Sequence, residues 1–201
     1  MAHAYHDIAF TETIKALQEQ QGSRASYARF EDAPQRGEKI GQNEAAFISA
    51  RDSFYMASTS ETGWPYMQHR GGPEGFMRVI DEGTLGFADF AGNRQYVTLG
   101  NLRGDDRVSL FFMDYANRTR LKVFGRAEVV DPSDTETLEK LAVPGYRARV
   151  ERGMLIRVSA FDWNCQQHIT PRYTEAQVAQ VVEKLTQRVA DLEAQLNAGG
   201  T

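Results

Sequence analysis

The chain has 201 residues, of which 41% are hydrophobic and 10% aromatic, a composition typical of one globular domain with short appendages. Its formal net charge of -4 at pH 7 leaves no general basic field, so nucleic acid is not an expected partner. The single cysteine, Cys165, excludes an intrachain disulfide and any multi-cysteine metal site.

The sequence contains no segment that predicts membrane insertion. Its first residues lack the charged-then-apolar pattern of a secretory signal, and no window approaches the roughly 18 apolar residues that a membrane helix needs. We therefore expect a cytoplasmic protein with no membrane partner.

Residues 1–43 are predicted to form an N-terminal helix and a connector. Phe10, Ile14 and Leu17 follow helical spacing, which predicts one helix over residues 8–20. The stretch EDAPQRGEKIGQN at residues 31–43 is polar and contains proline and glycine, which is typical of an exposed connector.

Residues 44–172 are predicted to form the main domain, which is mainly β. After a helix over residues 44–51, extended segments are predicted over residues 53–60, 65–70, 75–80, 84–89, 107–115, 120–130 and 150–161, and a helix over residues 135–141. Val108, Leu110 and Phe112 share one face of the fifth segment, and its other face is also largely apolar. We expect one face to line a barrel and the other to meet a helix or a second subunit.

The loop after the fourth segment has the character of a phosphate site. Gly92, Asn93 and Arg94 combine a small residue, an amide and a planar cation. Asn93 is predicted to be the N-cap of a short helix over residues 96–102, whose first N–H groups would stabilise an anion. The alternative is an ordinary turn with Arg94 as a surface charge.

The same region carries a family resemblance. FADFAGNRQ at residues 87–95, LGNL at 99–102, DRV at 106–108 and NRTRLKVFGRA at 117–127 resemble the pyridoxamine 5'-phosphate oxidase family of FMN-binding split barrels. The resemblance covers residues 45–130 and extends loosely to residue 172. It implies a six-stranded antiparallel split barrel with flanking helices that binds FMN without a covalent bond at a homodimer interface.

The resemblance also implies the type of activity. It suggests a flavin-dependent oxidoreductase whose substrate is unassigned and whose electron donor is a molecule such as NAD(P)H. Gln68 and Pro73 stand where the vitamin B6 oxidases have an arginine and a lysine, which argues against that particular activity. The alternative function is a protein that stores or senses FMN, a deazaflavin or haem without turnover.

The resemblance further implies which residues bind the cofactor. They are Gln68, His69, Arg70 and Gly71 after the second strand, Ala88, Asp89, Asn93, Arg94 and Gln95 around the loop, Arg120 and Lys122 on the sixth strand, and Trp163, Asn164 and Arg172 near the end of the domain. The alternatives are structural roles for His69 and Trp163, a surface role for the cations and a buried thiol at Cys165. No catalytic residue is assigned, because a flavin ring itself carries the chemistry.

Residues 173–201 are predicted to form a C-terminal helix that resembles a coiled coil and mediates dimerisation. Its apolar residues step alternately by four and three positions, the spacing of a coiled-coil seam: Val178, Val182, Leu185, Val189, Leu192 and Leu196. The alternative is a helix that packs this stripe on its own domain.

Overall fold

The computed structural model describes residues 3–29, 38–163 and 165–199. Its helices are α1 (His3–Ala9), α2 (Glu12–Gln20), α3 (Arg24–Ala28), α4 (Gln42–Ser49), α5 (Val97–Gly104), α6 (Thr135–Leu141) and α7 (Glu175–Gly199). Its strands are β1 (Ser53–Thr59), β2 (Pro65–Gly71), β3 (Arg78–Asp81), β4 (Thr84–Phe90), β5 (Arg107–Asp114), β6 (Thr119–Val130) and β7 (Val150–Trp163). Asn164 and most of the predicted connector lie outside the described residues.

All the strands listed above belong to one antiparallel sheet with the order β2-β1-β5-β6-β7-β4-β3. The expected fold class is confirmed, but the sheet has seven strands where the family resemblance suggested six. The difference is small, because β3 has only four residues and pairs only with β4 at one edge.

Contacts across the core show that the sheet closes on itself. Strands β1 and β4 are four places apart in the sheet, a separation of about 19 Å if the sheet were flat. The rings of Phe54 on β1 and Phe87 on β4 nevertheless lie with their centroids 5.3 Å apart. The sheet therefore curls into a barrel around an aromatic core that also contains Phe76 and Phe112.

The alternation predicted for β5 is confirmed. Val108, Leu110 and Phe112 are buried, whereas Ser109, Phe111 and Met113 are only half-buried on the other face. Side chains alternate between the two faces of a strand, so β5 presents its first set to the barrel interior.

The predicted single helix over residues 8–20 is wrong, because two helices occupy this region. Thr11 lies between α1 and α2 with extended backbone (φ -63°, ψ 166°), and its hydroxyl accepts a hydrogen bond from the Ile14 N–H at 3.5 Å. Thr11 is thus the N-cap of α2. Helix α1 packs on the outer face of the sheet, where the Tyr5 ring stacks on Phe124 with centroids 4.5 Å apart.

Helix α7 does not bury its apolar stripe on its own barrel. The six residues of the stripe are 42–75% exposed. In the described ranges, no helix is both long enough and apolar enough to cross a membrane.

Candidate functional site

A cavity of about 320 Å³ opens between the end of β2, the end of β4 and the loop before α5. We call it the Arg94 cavity. Nine of the residues predicted to bind the cofactor line it: Gln68, His69, Arg70, Gly71, Ala88, Asp89, Asn93, Arg94 and Gln95. Strand curvature therefore brings together two segments that are about twenty residues apart in the sequence.

The loop enters α5 in a different way from the one predicted. Asn93 is not the N-cap; Tyr96 holds that position in the left-handed conformation (φ 57°), without a side-chain capping bond. Arg94 is also left-handed (φ 59°). The Asn93 Oδ1 instead accepts from the Gln95 N–H at 3.3 Å, so its side chain stabilises the turn rather than the helix.

Helix α5 presents the first of its N–H groups at this loop. Its first intrahelical bond runs from the Gly100 N–H to the Tyr96 carbonyl at 2.9 Å. The N–H groups of residues 97–99 precede that bond, as at any helix start, and carry partial positive charge. Val97, Thr98 and Leu99 all line the Arg94 cavity, which makes this side of it suitable for an anion.

Arg94 is held by its neighbour. Its Nε–H donates to the Tyr96 hydroxyl at 3.1 Å, and both side chains are exposed. No carboxylate within the described ranges lies at ion-pair distance from Arg94. The terminal nitrogens of its guanidinium are therefore available to a ligand.

A buried ion cluster forms the floor of the cavity. Arg70 Nη1 donates to Asp89 Oδ1 at 2.6 Å, and Arg152 Nε lies 3.5 Å from Asp89 Oδ2. Burial raises the pKa of the Asp89 carboxyl, and the charges of Arg70 and Arg152 oppose that shift. The Arg70 Nε is buried without a hydrogen-bond partner in the described protein.

Two hydrogen bonds fix α5 against the sheet and so set the shape of the loop. The Thr98 hydroxyl donates to the Gln68 Oε1 at 3.2 Å, and the Asn101 amide donates to the Ser58 hydroxyl at 2.9 Å. Thr98 and Asn101 are both buried. The predicted residue Gln68 thus contacts the helix that follows the loop.

His69 has an environment that does not single it out as an acid or base. Its side chain is exposed, on the opposite face of β2 from Gln68 and Arg70. Its ring lies edge-on to Tyr55 with centroids 5.5 Å apart.

Four predicted residues lie elsewhere in the chain. Arg120 and Arg172 line a second cavity of about 460 Å³ on the outer face of the sheet, where Arg172 covers the Tyr115 ring at 4.6 Å. We call it the Arg120 cavity. Lys122 forms an ion pair with Asp162 at 2.8 Å, with its Nζ 4.3 Å from the centroid of the Tyr5 ring.

Trp163, the fourth of these residues, is held inside its own domain. Its indole Nε1 donates to the Glu44 carboxylate at 2.8 Å, and its ring packs edge-on against Phe47 at 4.7 Å. Cys165 is exposed, which contradicts the alternative of a buried thiol. Within the described ranges no cluster of three or more His, Cys, Asp or Glu residues could hold a metal ion.

Sequence reasoning missed part of the cavity wall. Tyr146 and Glu151 line it from the β7 side, and the Tyr146 ring lies edge-on to Phe90 at 5.0 Å. Tyr96 also lines the cavity; it directly follows the motif at residues 87–95 and could have been added from its position. Tyr146 follows α6 in an irregular segment, and no local pattern links it to the loop before α5.

Comparisons with known proteins define the class. The sequence model described as "Pyridoxamine 5'-phosphate oxidase" matches residues 40–162, which is more than half of the chain. The chain therefore belongs to the pyridoxamine 5'-phosphate oxidase family. The resemblance drawn from residues 87–127 is confirmed. No curated protein matches the chain.

Two solved structures of one protein agree with this fold. HupZ from Group A Streptococcus is 16% identical, with a TM-score of 0.51 over 67% of this chain and 99% of that one. A histidine-to-alanine variant of HupZ gives 17% identity and a TM-score of 0.51 over 62% and 99%. An FMN-binding protein from Syntrophomonas wolfei is more distant, with 9% identity and a TM-score of 0.43 over 73% and 97%. The HupZ structures show the fold alone.

Proposed function

We propose that the chain binds FMN without a covalent bond at the Arg94 cavity and acts as a flavin-dependent oxidoreductase. The observation that carries the proposal is the convergence of Arg94, the turn at Asn93 and the first N–H groups of α5 on one cavity. This donor set suits a phosphate, because helix N-termini and arginine both favour anions. Membership of the pyridoxamine 5'-phosphate oxidase family supports FMN as the ligand that carries this phosphate.

The charges around the cavity indicate which residue would hold the phosphate. Arg70 already pairs with Asp89, so its charge is largely compensated. Arg94 keeps its terminal nitrogens available, and Asn93 and Gln95 add amide groups beside it. Arg94 is therefore the main phosphate ligand in this proposal, and Arg70 supports the loop from below.

The small size of the cavity is compatible with a site that a second copy completes. Its volume of about 320 Å³ lies at the lower end of the roughly 300–1,000 Å³ typical of ligand sites. We therefore propose a homodimer in which the second copy completes the site. Arg120 and Arg172 remain predicted cofactor residues in that arrangement, since they face outward from their own sheet.

FMN would supply electron or hydride transfer at its ring, with the protein providing position and charge. The proposal includes NAD(P)H as electron donor and a cytoplasmic location, where that donor is available. The cavity's buried carboxyl, Asp89, is tied to Arg70, and His69 is exposed beside Tyr55. In this proposal neither Asp89 nor His69 is the group that transfers a proton.

The absorption spectrum of the purified protein tests the proposal. We expect a flavin spectrum, or its appearance after FMN is added. Arg94→Ala should weaken FMN binding by about 10- to 100-fold, the loss of one or two charge-assisted hydrogen bonds. Arg103→Ala is the matched control, because Arg103 is exposed at the other end of α5 and does not line the cavity. A colourless protein that does not take up FMN would overturn the proposal.

The second candidate function is storage or sensing of a flavin without turnover. The ion pairs of Asp89 with Arg70 and of Glu151 with Arg152 favour it, since the described lining of the cavity then offers no free carboxylate as a base. Anaerobic addition of NAD(P)H separates the two functions. An oxidoreductase should bleach the bound flavin, whereas a storage protein should leave the spectrum unchanged.

A further inference from the structure

The apolar stripe of α7 is exposed along its length. We name it the α7 seam; it comprises Val178, Val182, Leu185, Val189, Leu192 and Leu196. We propose that the α7 seam is covered by α7 of a second copy in a parallel, in-register, two-stranded coiled coil. This inference rests on the proposed homodimer, and it adds the orientation and the register of the two chains.

The residue types along the seam favour two parallel strands. In a heptad numbered from the seam, Val182 and Val189 occupy the a positions and Leu185 and Leu192 the d positions. A β-branched residue at a with leucine at d is the combination that favours parallel dimers. Val178 at a d position and Leu196 at an a position extend the apolar spacing at the two ends, with the two residue types exchanged.

The flanking charges decide the orientation. Arg188 lies at a g position and Glu193 at the following e position. The two residues are five positions apart, so they do not face each other along one helix. Neither has an ion-pair partner among the described parts of its own chain.

Parallel and antiparallel pairing place Arg188 and Glu193 opposite different residues of the second copy. In a parallel, in-register pair, Arg188 of each copy lies opposite Glu193 of the other, which gives two attractive contacts. In an antiparallel pair with the same core overlap, the two Arg188 side chains lie opposite each other and Glu193 faces Ala179. Like charges in such positions destabilise the pair, so the sequence favours the parallel arrangement.

The α7 seam is too short to hold the dimer together by itself, so contacts between the two barrels must contribute to the stability of the dimer. From Val178 to Leu196 the seam spans about 27 Å, or fewer than three heptads. Coiled coils this short are marginal by themselves. In the parallel arrangement both helices begin at the same end, so the two barrels lie together at that end and can contact each other.

Single-cysteine cross-linking tests the orientation. In full-length protein carrying Cys165→Ser, we expect Leu192→Cys to form a disulfide-linked dimer under mild oxidation, because like d positions meet in a parallel pair. Ala194→Cys is the matched control, since position 194 lies on the opposite side of the helix. It should cross-link at least tenfold more slowly. Equal rates for both variants would overturn the proposal.

Mixed variants identify the antiparallel alternative. Antiparallel helices would bring position 192 of one copy opposite position 182 of the other. Preferential linkage between a Leu192→Cys chain and a Val182→Cys chain, with little self-linkage of either, would therefore overturn the parallel arrangement. We expect self-linkage of each variant to dominate.

Charge reversal tests the register. Arg188→Glu alone, or Glu193→Arg alone, should slow cross-linking at position 192 by on the order of tenfold, since two attractive pairs become repulsive. The double variant should restore the rate, and no restoration would overturn the proposed register. FMN binding should be the same in all these variants. Loss of cross-linking with retained dimer and retained flavin would overturn the coiled coil alone and leave the proposed function intact.

Discussion

Arg70 and Asp89 join two strands that lie five places apart in the sheet. Strand β2 is at one edge and β4 is next to the other, which would put the residues about 24 Å apart in a flat sheet. Closure of the barrel brings Arg70 Nη1 to 2.6 Å from Asp89 Oδ1. The ion pair therefore links β2 to β4 across the open side of the barrel, beneath the Arg94 cavity.

Removing Arg70 should destabilise the protein in a pH-dependent way. Arg70→Gln leaves the buried Asp89 carboxylate with only Arg152, and we expect a loss of about 3 kcal/mol at neutral pH, the lower end for a broken buried pair. The pKa of Asp89 is already raised by burial, and the loss of Arg70 should raise it further. Stability contributed by a carboxyl with a raised pKa is present at low pH and is lost as pH rises through the folded pKa. The deficit of the variant should therefore shrink as pH is lowered toward 4, as measured by urea unfolding. A pH-independent deficit would contradict this account.

Asp105 should titrate well below its ordinary value. Hydrogen bonds from the Arg107 side chain and backbone lower the pKa of Asp105 to about 2. For a depressed carboxyl pKa the associated stability is present above the unfolded value of 3.8 and is lost as pH falls toward the folded value. Arg107→Gln should return the pKa of Asp105 toward 3.8, as measured by NMR titration of the carboxyl carbon. Asp131, which depends on Ser133, should keep its lowered pKa in the same variant.

Gly125 and Gly100 should respond oppositely to alanine. At Gly125 an added Cβ would lie 2.7 Å from the Arg157 carbonyl oxygen, where the β6–β7 register shifts. Gly125→Ala should therefore cost about 1–3 kcal/mol. Gly100, in α5, has no atom within 4 Å of the added Cβ, so Gly100→Ala should stabilise by about 0.5–1 kcal/mol. Thermal unfolding of the two variants checks both signs. Stabilisation by Gly125→Ala would contradict the close contact at that site, and destabilisation by Gly100→Ala would contradict the open space at the other.

Glu44 and Trp163 should be energetically coupled. The indole N–H donates to a carboxylate that also caps α4, accepting from the Gly41 N–H at 3.1 Å. A double-mutant cycle of Glu44→Gln and Trp163→Phe should give a coupling energy of about 1 kcal/mol. Trp64→Phe is the control, because Trp64 is 76% exposed and should unfold like the wild type. Strict additivity of the two substitutions would exclude the contact.

Local patterns were sufficient for most of the barrel. Alternation placed Val108, Leu110 and Phe112 inside, and the motif at residues 87–95 located the loop that lines the cavity. Both signals depend on neighbouring residues only. The helix over residues 135–141 was also predicted correctly from the start signal at residues 131–134. Within that signal the structure makes Asp134 the N-cap, which accepts from the Thr137 N–H.

The predictions were wrong or incomplete where backbone conformation, or contacts between distant segments, determines the structure. Asn93 has the right side chain for an N-cap, but left-handed backbone at Arg94 and Tyr96 moves the start of α5 to Val97. Thr11 interrupts the predicted N-terminal helix because it caps α2. The positions of Tyr146 and Glu151 follow from the pairing of β4 with β7, which no single-segment pattern encodes.

The place of β7 in the sheet has a consequence for synthesis on the ribosome. β7 pairs with both β6 and β4, and the other six strands precede it in the chain. A nascent chain that ends before residue 150 can form the β2-β1-β5-β6 meander and the β3-β4 hairpin, but nothing yet bridges them. The edges of β6 and β4 that face β7 are then both unpaired. Because unpaired strand edges promote misassociation, the emerging polypeptide is most vulnerable in this interval. Translation of α7 begins only after that bridging strand has been made.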